Sequence, residues 1–293
     1  MTELIVCDPR KNKSMREGNQ NDKIDARRFA ELLRVDHLTP VYHGEHGLRT
    51  LKELVRSYLT ITKDLARVKS RVKAIYRSWA IPCTGKQVYA RCHRGEWLGK
   101  INEPGVRRRA EFYYQQLDAL RVLRQEARRD LLAESKKQKA WKRLCEIPSI
   151  GPIRSAVLLG ILQTPHRFRS KRPLWNYGGL AIETHSSADH RRVDGQLRRS
   201  RKNVLVRGLN RNCNHDLRTM LVHGAHYILG PFGADSDLRR WGLKLAGRGG
   251  KNAKKRAVVA VARKLAVLLH RLWVGGEVYE PLRDSQKAMR VAA

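Results

Sequence analysis

Residues 147–162 read Ile147-Pro148-Ser149-Ile150-Gly151-Pro152-Ile153-Arg154-Ser155-Ala156-Val157-Leu158-Leu159-Gly160-Ile161-Leu162. Pro148 and Pro152 bracket a tight loop in which Gly151 supplies a backbone freedom denied to any residue with a Cβ. Pro152 stands where a helix accepts proline, at its first position. Beyond it Ile153, Ala156, Val157, Leu159 and Gly160 recur at helical spacing, and ahead of the loop Trp141, Leu144 and Cys145 close a basic helix. Helix, hairpin, helix is either an ordinary turn between packed helices or a device that offers backbone N–H groups at a helix start to a phosphate. Such a hairpin usually has two glycines, and Ser149 replaces one. The flanks favour the phosphate: Lys136, Lys137, Lys139, Lys142 and Arg143 precede the loop, and Arg167, Arg169, Lys171 and Arg172 follow it. Gly151, Arg154, Arg169, Lys171 and Arg172 are therefore candidate nucleic-acid contacts.

The basic excess runs the whole length of the 293 residues, with 61 Lys and Arg against 27 Asp and Glu and a net charge of +34. A folded chain so charged repels itself unless a polyanion neutralises it, which makes DNA or RNA the expected partner. No apolar run reaches membrane-spanning length and no signal peptide opens the sequence, so no membrane partner is expected. Cys7, Cys83, Cys92, Cys145 and Cys213 are odd in number and scattered, which fits a reduced cytoplasmic protein rather than a disulfide framework. Cys83, Cys92 and His93 lack the CxxC pair that would support a zinc site.

Taken in order, the chain reads as mainly α. Leu4 to Cys7 is a short apolar strand with no partner strand nearby, an unstable thing alone. Residues 21–34 form a helix with Ile24, Phe29, Leu32 and Leu33 on its buried side. Asp22 and Asp25 are three apart and share a face, where they either favour the positive end of the helix dipole or hold Mg2+. Leu51, Leu54, Tyr58, Ile61, Leu65, Val68, Val72, Ile75 and Trp79 follow steps of three and four, the signature of a coiled coil. After Pro82 and a polar connection, a second long helix spans about Val106 to Lys139, with Ala110, Tyr113, Leu117, Leu120, Leu123, Ala127 and Leu131 apolar. The two make a helical hairpin, folded on itself or paired with another subunit.

Residues 168–180 follow, with Trp175 and Tyr177 set among cations for stacking on bases or packing in a core. The polar run Glu183-Thr184-His185-Ser186-Ser187-Ala188-Asp189-His190-Arg191-Arg192 then holds what a nucleophilic serine needs: a hydroxyl, groups to move its proton, and arginines to neutralise a phosphate. Ser, His and Asp are also ordinary loop residues. Arg198, Arg199, Arg207, Asn210, Arg211 and Arg218 suit phosphate and base contacts. Leu217, Met220, Leu221, Gly224 and Ala225 mark the buried face of the next helix. A last amphipathic helix spans about Ala257 to Trp273, with Val258, Val261, Leu265, Leu268 and Leu272 inward, and the final residues look frayed.

Together these blocks resemble the DEDD-type insertion-sequence transposases of the IS-one-ten group, described as bridge-RNA-guided serine recombinases. Asn21-Asp22-Lys23-Ile24-Asp25-Ala26-Arg27 looks like that family's second acidic pair, at the end of a RuvC-like (RNase H-type) α/β domain. Glu146 to Pro152 resembles the helix-hairpin-helix that opens its transposase domain. Phe168 to Leu180, then Ser186-Ser187, resembles the segment with its catalytic serine. Arg207-Gly208-Leu209-Asn210, Asp216-Leu217-Arg218 and Arg263-Lys264-Leu265-Ala266 resemble its closing helices. By spacing from Gly179-Leu180, Ser187 is the better match to the nucleophile and Ser186 the fallback. Ala188 stands where the family often has Gly.

The resemblance implies three parts: a remnant of the RuvC-like domain over 1–45, a coiled-coil helical hairpin over 46–140, and a helix-hairpin-helix and serine transposase domain over 141–293. Family members begin with strands carrying a first Asp and a Glu, which nothing here matches, so the chain is expected to be truncated and inactive alone. The resemblance further implies Mg2+ as cofactor, held by Asp22 and Asp25. It implies the element ends and target DNA as substrates, a structured guide RNA as partner, a dimer or tetramer formed through the coiled coil, and a place at the bacterial nucleoid. A non-catalytic nucleic-acid-binding or oligomerising protein is the alternative.

Overall fold

The computed structural model describes residues 5–7, 22–38, 41, 48–186, 190–193, 196–199 and 204–286. Through 184–186, 190–193, 197–199 and 204–207 the description is of the backbone alone. The chain divides into two units, Met1–His46 and Gly47–Ala293.

In the first unit the apolar run does find a backbone partner, because the Val41 N–H donates to the Val6 carbonyl at 2.7 Å. Helix α1 (Asp22–Arg34) carries Asp22 and Asp25 in its first turn, where their charge complements the exposed N–H groups of the helix start. Leu32 is buried, whereas Leu33, expected on the inner side, is 54% exposed. The two residues lie on adjacent faces of the helix and only one can face the unit's interior.

The second unit is mainly helical. Helix α2 (Arg49–Ser78) leads through a connection holding the short α3 (Arg94–Gly99) into α4 (Pro104–Lys136). Helices α2 and α4 pack side by side in antiparallel sense: Leu51, Val55 and Tyr58 share a core with Leu131, while Val68, Val72 and Tyr76 share another with Ala110, Tyr114 and Leu117. Val122 and Leu123 of α4 are 50% and 47% exposed. Leu123 was expected inward, but Leu120 and Ala127 make the core contacts of this stretch and Leu123 lies on the face of α4 turned to water. Trp79 is exposed too, since α2 ends at Ser78 and Ala80, at φ 54°, turns the chain away.

The connection read as polar is in fact a lid on the outer core, into which it sends Val88, Trp97 and Ile101. The Tyr76 and Tyr114 hydroxyls are 2.9 Å apart, and Tyr114 donates to the Val88 carbonyl at 3.0 Å. Burial raises the pKa of both phenols, so the pair stays protonated and hydrogen-bonded. Arg94 lies with its guanidinium 4.6 Å from the Tyr114 ring centre and makes a two-pronged bond to Asp118, at 2.8 and 3.0 Å.

The inner core is built around α6 (Pro152–Leu162), entered from α5 (Lys139–Cys145). Seven of the eleven residues of α6 are buried. It touches α2, α4, α5 and α8 (His215–Leu229). Gly160 lets α2 approach: a Cβ there would lie 2.6 Å from Val55 Cγ2 and 3.3 Å from the Leu51 carbonyl oxygen. Leu217, Met220, Leu221, Gly224 and Ala225 are all buried, the face expected for α8. Helix α10 (Ala253–Gly275) buries Val261, Leu265 and Leu272 as expected, with Ala262 and Leu269 beside them. Helix α9 (Asp237–Ala246), absent from the sequence reading, packs on α8 and α10. Among the described residues no helix is long and apolar enough to cross a membrane.

The stretch read as a polar loop within an all-helical domain instead forms four strands: β1 (Ile182–Ser186), β2 (His190–Val193), β3 (Gln196–Arg199) and β4 (Val204–Leu209). Strand β1 pairs antiparallel with β4, and β2 with β3. A two-stranded ribbon has one exposed edge on each side and needs no apolar face, so polar and basic residues can form it without a core signal.

Two outcomes test this packing. Gly160→Ala should destabilise the chain by about 1–3 kcal/mol despite alanine's better helix propensity, because the methyl meets Val55 and the α2 backbone; chemical denaturation reads the change. Asp118→Asn should cost about 1–3 kcal/mol by removing a charge-assisted pair. The hydrogen bond from Arg94, helped by Arg91, holds the Asp118 carboxyl at about 2, against burial that opposes it. Its stabilisation is therefore complete above pH ~4 and is lost as the pH falls through about 2. Unfolding free energy measured against pH should be flatter over that window in the Asn variant.

Candidate nucleic-acid interface

The hairpin before α6 is tight for a reason the sequence misplaced. Gly151 caps the helix with φ −74° and ψ 178°, an extended backbone open to any residue. The left-handed position is Ser149, at φ 80°. Its side-chain oxygen is buried and meets no partner among the described residues, and it faces α8 where Gly224 leaves room: a Cβ at 224 would sit 3.2 Å from Ser149 Oγ. Arg154 donates from Nη1 to the Ser149 carbonyl at 2.5 Å, and Trp141 donates from Nε1 to the Pro152 carbonyl at 3.1 Å. Both clasp the loop from within. On the outside Gly151 is exposed, and no atom lies within 4 Å of where its Cβ would be. Backbone can thus be approached closely at the start of α6.

Of the candidate serines, Ser186 lies on the ribbon. Ser186 ends β1, in register with Val204 of β4. The inner pair resumes with His190 opposite Arg199 and Arg191 opposite Arg198. Ser187 falls between the two pairs and lies outside the described residues. Arg207 is on β4, opposite no basic residue in the β1 register.

The ribbon's base is tied to the helical core. Helix α7 (Lys171–Tyr177) runs into Gly178-Gly179, and a Cβ on Gly179 would meet Cys213 Sγ at 2.3 Å, so only glycine fits, at φ 63°. Asn210 donates from Nδ2 to Asn176 Oδ1 at 2.6 Å and to the Asn212 carbonyl at 3.2 Å, and its Oδ1 accepts the Asn212 N–H. Asn214 caps α8 by accepting the Leu217 N–H at 2.9 Å and donates to the Tyr177 hydroxyl. Arg263 of α10 donates to the Leu180 carbonyl at 2.6 Å. Asn210 is thus committed to positioning the ribbon, a role no local pattern announces; the alternation of Asn at 210, 212 and 214 is the one trace of it.

Arg169, Lys171, Arg172 and Arg211 are exposed near this base, Arg218 is half-buried, and Arg167 stacks 4.3 Å from the Tyr177 ring centre. Trp175 and Tyr177 both pack against the inner core. In the other unit Asp22 is exposed and Asp25 half-buried. Their carboxylates suit Mg2+, yet among the described residues no group of three His, Cys, Asp or Glu gathers to hold a metal. The pair alone does not complete a site.

A family model described as "Transposase IS116/IS110/IS902 family" matches residues 141–230, which span the hairpin and the whole ribbon. A second, described as "Transposase" and of the DEDD type of the IS110 group, matches residues 3–78. The chain belongs to the IS110-type transposase family. It is similar to the transposase for insertion sequence element IS1111A of Coxiella burnetii, with 30% identity over 151 residues, 51% of this chain and 37% of the relative. It is also similar to the putative transposase y4pF/y4sB of Sinorhizobium fredii, with 32% identity over 140 residues, 47% of this chain and 32% of the relative. The matches thus span about a third of each curated relative's length. Asp22 and Asp25 fall in the segment matched over residues 3–78, and Ser186 and Ser187 in that matched over residues 141–230.

Ser149→Gly checks the hairpin geometry. A side chain at φ 80° costs about 1 kcal/mol, and the buried hydroxyl adds to that cost. The glycine variant should therefore gain about 0.5–1 kcal/mol of stability, seen as a raised denaturation midpoint at unchanged slope.

Proposed function

We propose that this chain works as the transposase of an insertion sequence, cutting and rejoining DNA through Ser187. The observation that carries the reading is the single match that spans both the hairpin and the ribbon, residues 141–230. In this reading the Ser187 hydroxyl attacks the scissile phosphodiester. A P–Oγ ester forms, the bond to the leaving sugar oxygen breaks, and the serine proton passes to a base while the leaving oxygen takes one up. The ester keeps the energy of the broken bond, so a second strand's hydroxyl can reverse the step without a high-energy cofactor. Arginines along β2 and β3 neutralise the phosphate as charge builds on it. A two-stranded ribbon is also of a size to enter the major groove.

Asp22 and Asp25 belong to the same proposal as part of a carboxylate set for Mg2+, which supplies a positive charge at the phosphate. The four-acid set that the resemblance calls for needs two acids more, from this or another polypeptide. A structured RNA pairing with donor and target DNA would take up much of the +34 charge. Self-association through the long helices has as its support the exposed Phe112, Val122 and Leu123 of α4.

Labelled DNA carrying the element ends, incubated with the chain, Mg2+ and a polypeptide bearing the two further acids, tests the reading on a denaturing gel. A covalent protein–DNA band is expected, lost in Ser187→Ala and retained in Ser186→Ala. Loss only in Ser186→Ala would move the nucleophile by one residue, and a band that survives both changes would overturn the serine mechanism. Binding of duplex DNA should weaken steeply as salt is raised, since dispersed Lys and Arg act by releasing counterions.

A further inference from the structure

Helices α7, α9 and α10 and the segment that follows α10 enclose a cavity of about 570 Å3, a size usual for sites that hold a small organic group. Trp175, Trp241 and Tyr279 line it, each half-buried. The cations Lys171, Lys264 and Arg271 stand around these rings. Trp175 is locked by donating its Nε1–H to the Arg263 carbonyl at 3.1 Å. Trp241 packs against the inner core and has Lys264 Nζ 4.0 Å from its ring centre, and its Nε1–H meets no acceptor among the described residues.

The charge in the cavity is unevenly committed. Asp237 accepts the Asp284 N–H at 2.8 Å, the Ser285 N–H at 3.3 Å and the Ser285 hydroxyl. Arg283 is paired with Glu277. Lys171, Lys264 and Arg271 have no carboxylate partner among the described residues, while Glu280 and Asp284 line the same cavity. A half-buried aromatic face, an indole donor, cations without carboxylate partners and carboxylate acceptors in one lining make a combination suited to a particular ligand. The face takes a π-system, the cations take a phosphate, and the carboxylates take exocyclic N–H groups.

We propose that this cavity receives one unstacked nucleotide of the nucleic acid that the chain binds, its base against Trp241 and its phosphate at Lys171 and Arg271. The inference rests on the nucleic-acid reading given under the proposed function and adds a site to it. Helix α7 carries Lys171 and Trp175 into the cavity and Asn176 to the base of the serine ribbon. A nucleotide bound here would therefore register the strand relative to the ribbon.

Hairpin duplexes that differ at one position test it: fully paired, with a bulged adenosine, or with a bulged abasic residue, each as DNA and as RNA. The unaltered chain should bind the adenosine bulge roughly tenfold more tightly than the abasic bulge, the worth of stacking one base. Preference in one nucleic acid alone identifies the source of the nucleotide. Trp241→Ala should remove the preference and leave paired-duplex affinity unchanged. Should that variant unfold, Trp241→Phe, which keeps a ring, should retain part of the preference, and Arg271→Ser should weaken bulge binding several-fold. Equal affinity of the unaltered chain for the two bulges in both nucleic acids overturns the proposal, as does a preference that persists in Trp241→Ala. Failure to bind any duplex would instead overturn the nucleic-acid reading on which it rests.

Discussion

At Gly160 the backbone of α6 and the side chains of α2 come so close that no methyl group fits between them. Around that contact the second unit is assembled. Helix α6 is apolar on nearly every side and touches α2, α4, α5 and α8, so it acts as the spindle of the inner core. A helix buried all round has no face of its own to turn to water, and its neighbours must supply the polar surface. The consequence reaches the base of the ribbon. The loop that begins α6 is pinned against α8 through Ser149 and Gly224, and α8 in turn begins at the Asn214 cap beneath the ribbon.

The large positive charge is divided between two tasks. Some guanidinium groups are structural: Arg94 binds Asp118, Arg121 reaches the Tyr89 carbonyl, Arg239 closes the end of α8 on the Ile228 and Gly230 carbonyls, and Arg263 holds Leu180. Planar forks with several donors are well suited to satisfying carbonyls left open at helix ends and turns. The exposed cations at the start of α7 have no such employment within the described residues. A polyanion is what would relieve them. Counting basic residues alone would therefore overstate the binding surface, and position separates the two groups.

Two local geometries are held by structure on both sides. One is the left-handed Ser149 between α5 and α6, a strained residue over an otherwise open helix start, clasped by Trp141 and Arg154. The other is the base of the ribbon, fixed by Asn210, Gly179 and Arg263. Backbone set between rigid elements keeps its geometry at little entropic cost on binding.

Where neighbours along the chain settle the outcome, the sequence decided it. The buried faces of α8 and α10, the apolar run of α6, the proline that starts it and the length of α2 all follow from local period and caps. So does the recognition of the hairpin and serine segment as ordered blocks. Tertiary structure alone decided the rest. Leu123 and Trp79 keep their heptad spacing yet face water, the first because Leu120 and Ala127 take the core contacts, the second because α2 ends before it. Trp97 and Ile101, in a stretch that reads as polar, are buried because the long helices left a core there to cover. The strong left-handed turn fell to Ser149 rather than Gly151 because packing against Gly224 fixed the loop. Ile182 meets Leu209 and Ser186 meets Val204 across a closure that no local window contains. Periodicity reports which face of an element is apolar, whereas partners across such distances are set by how the whole chain closes.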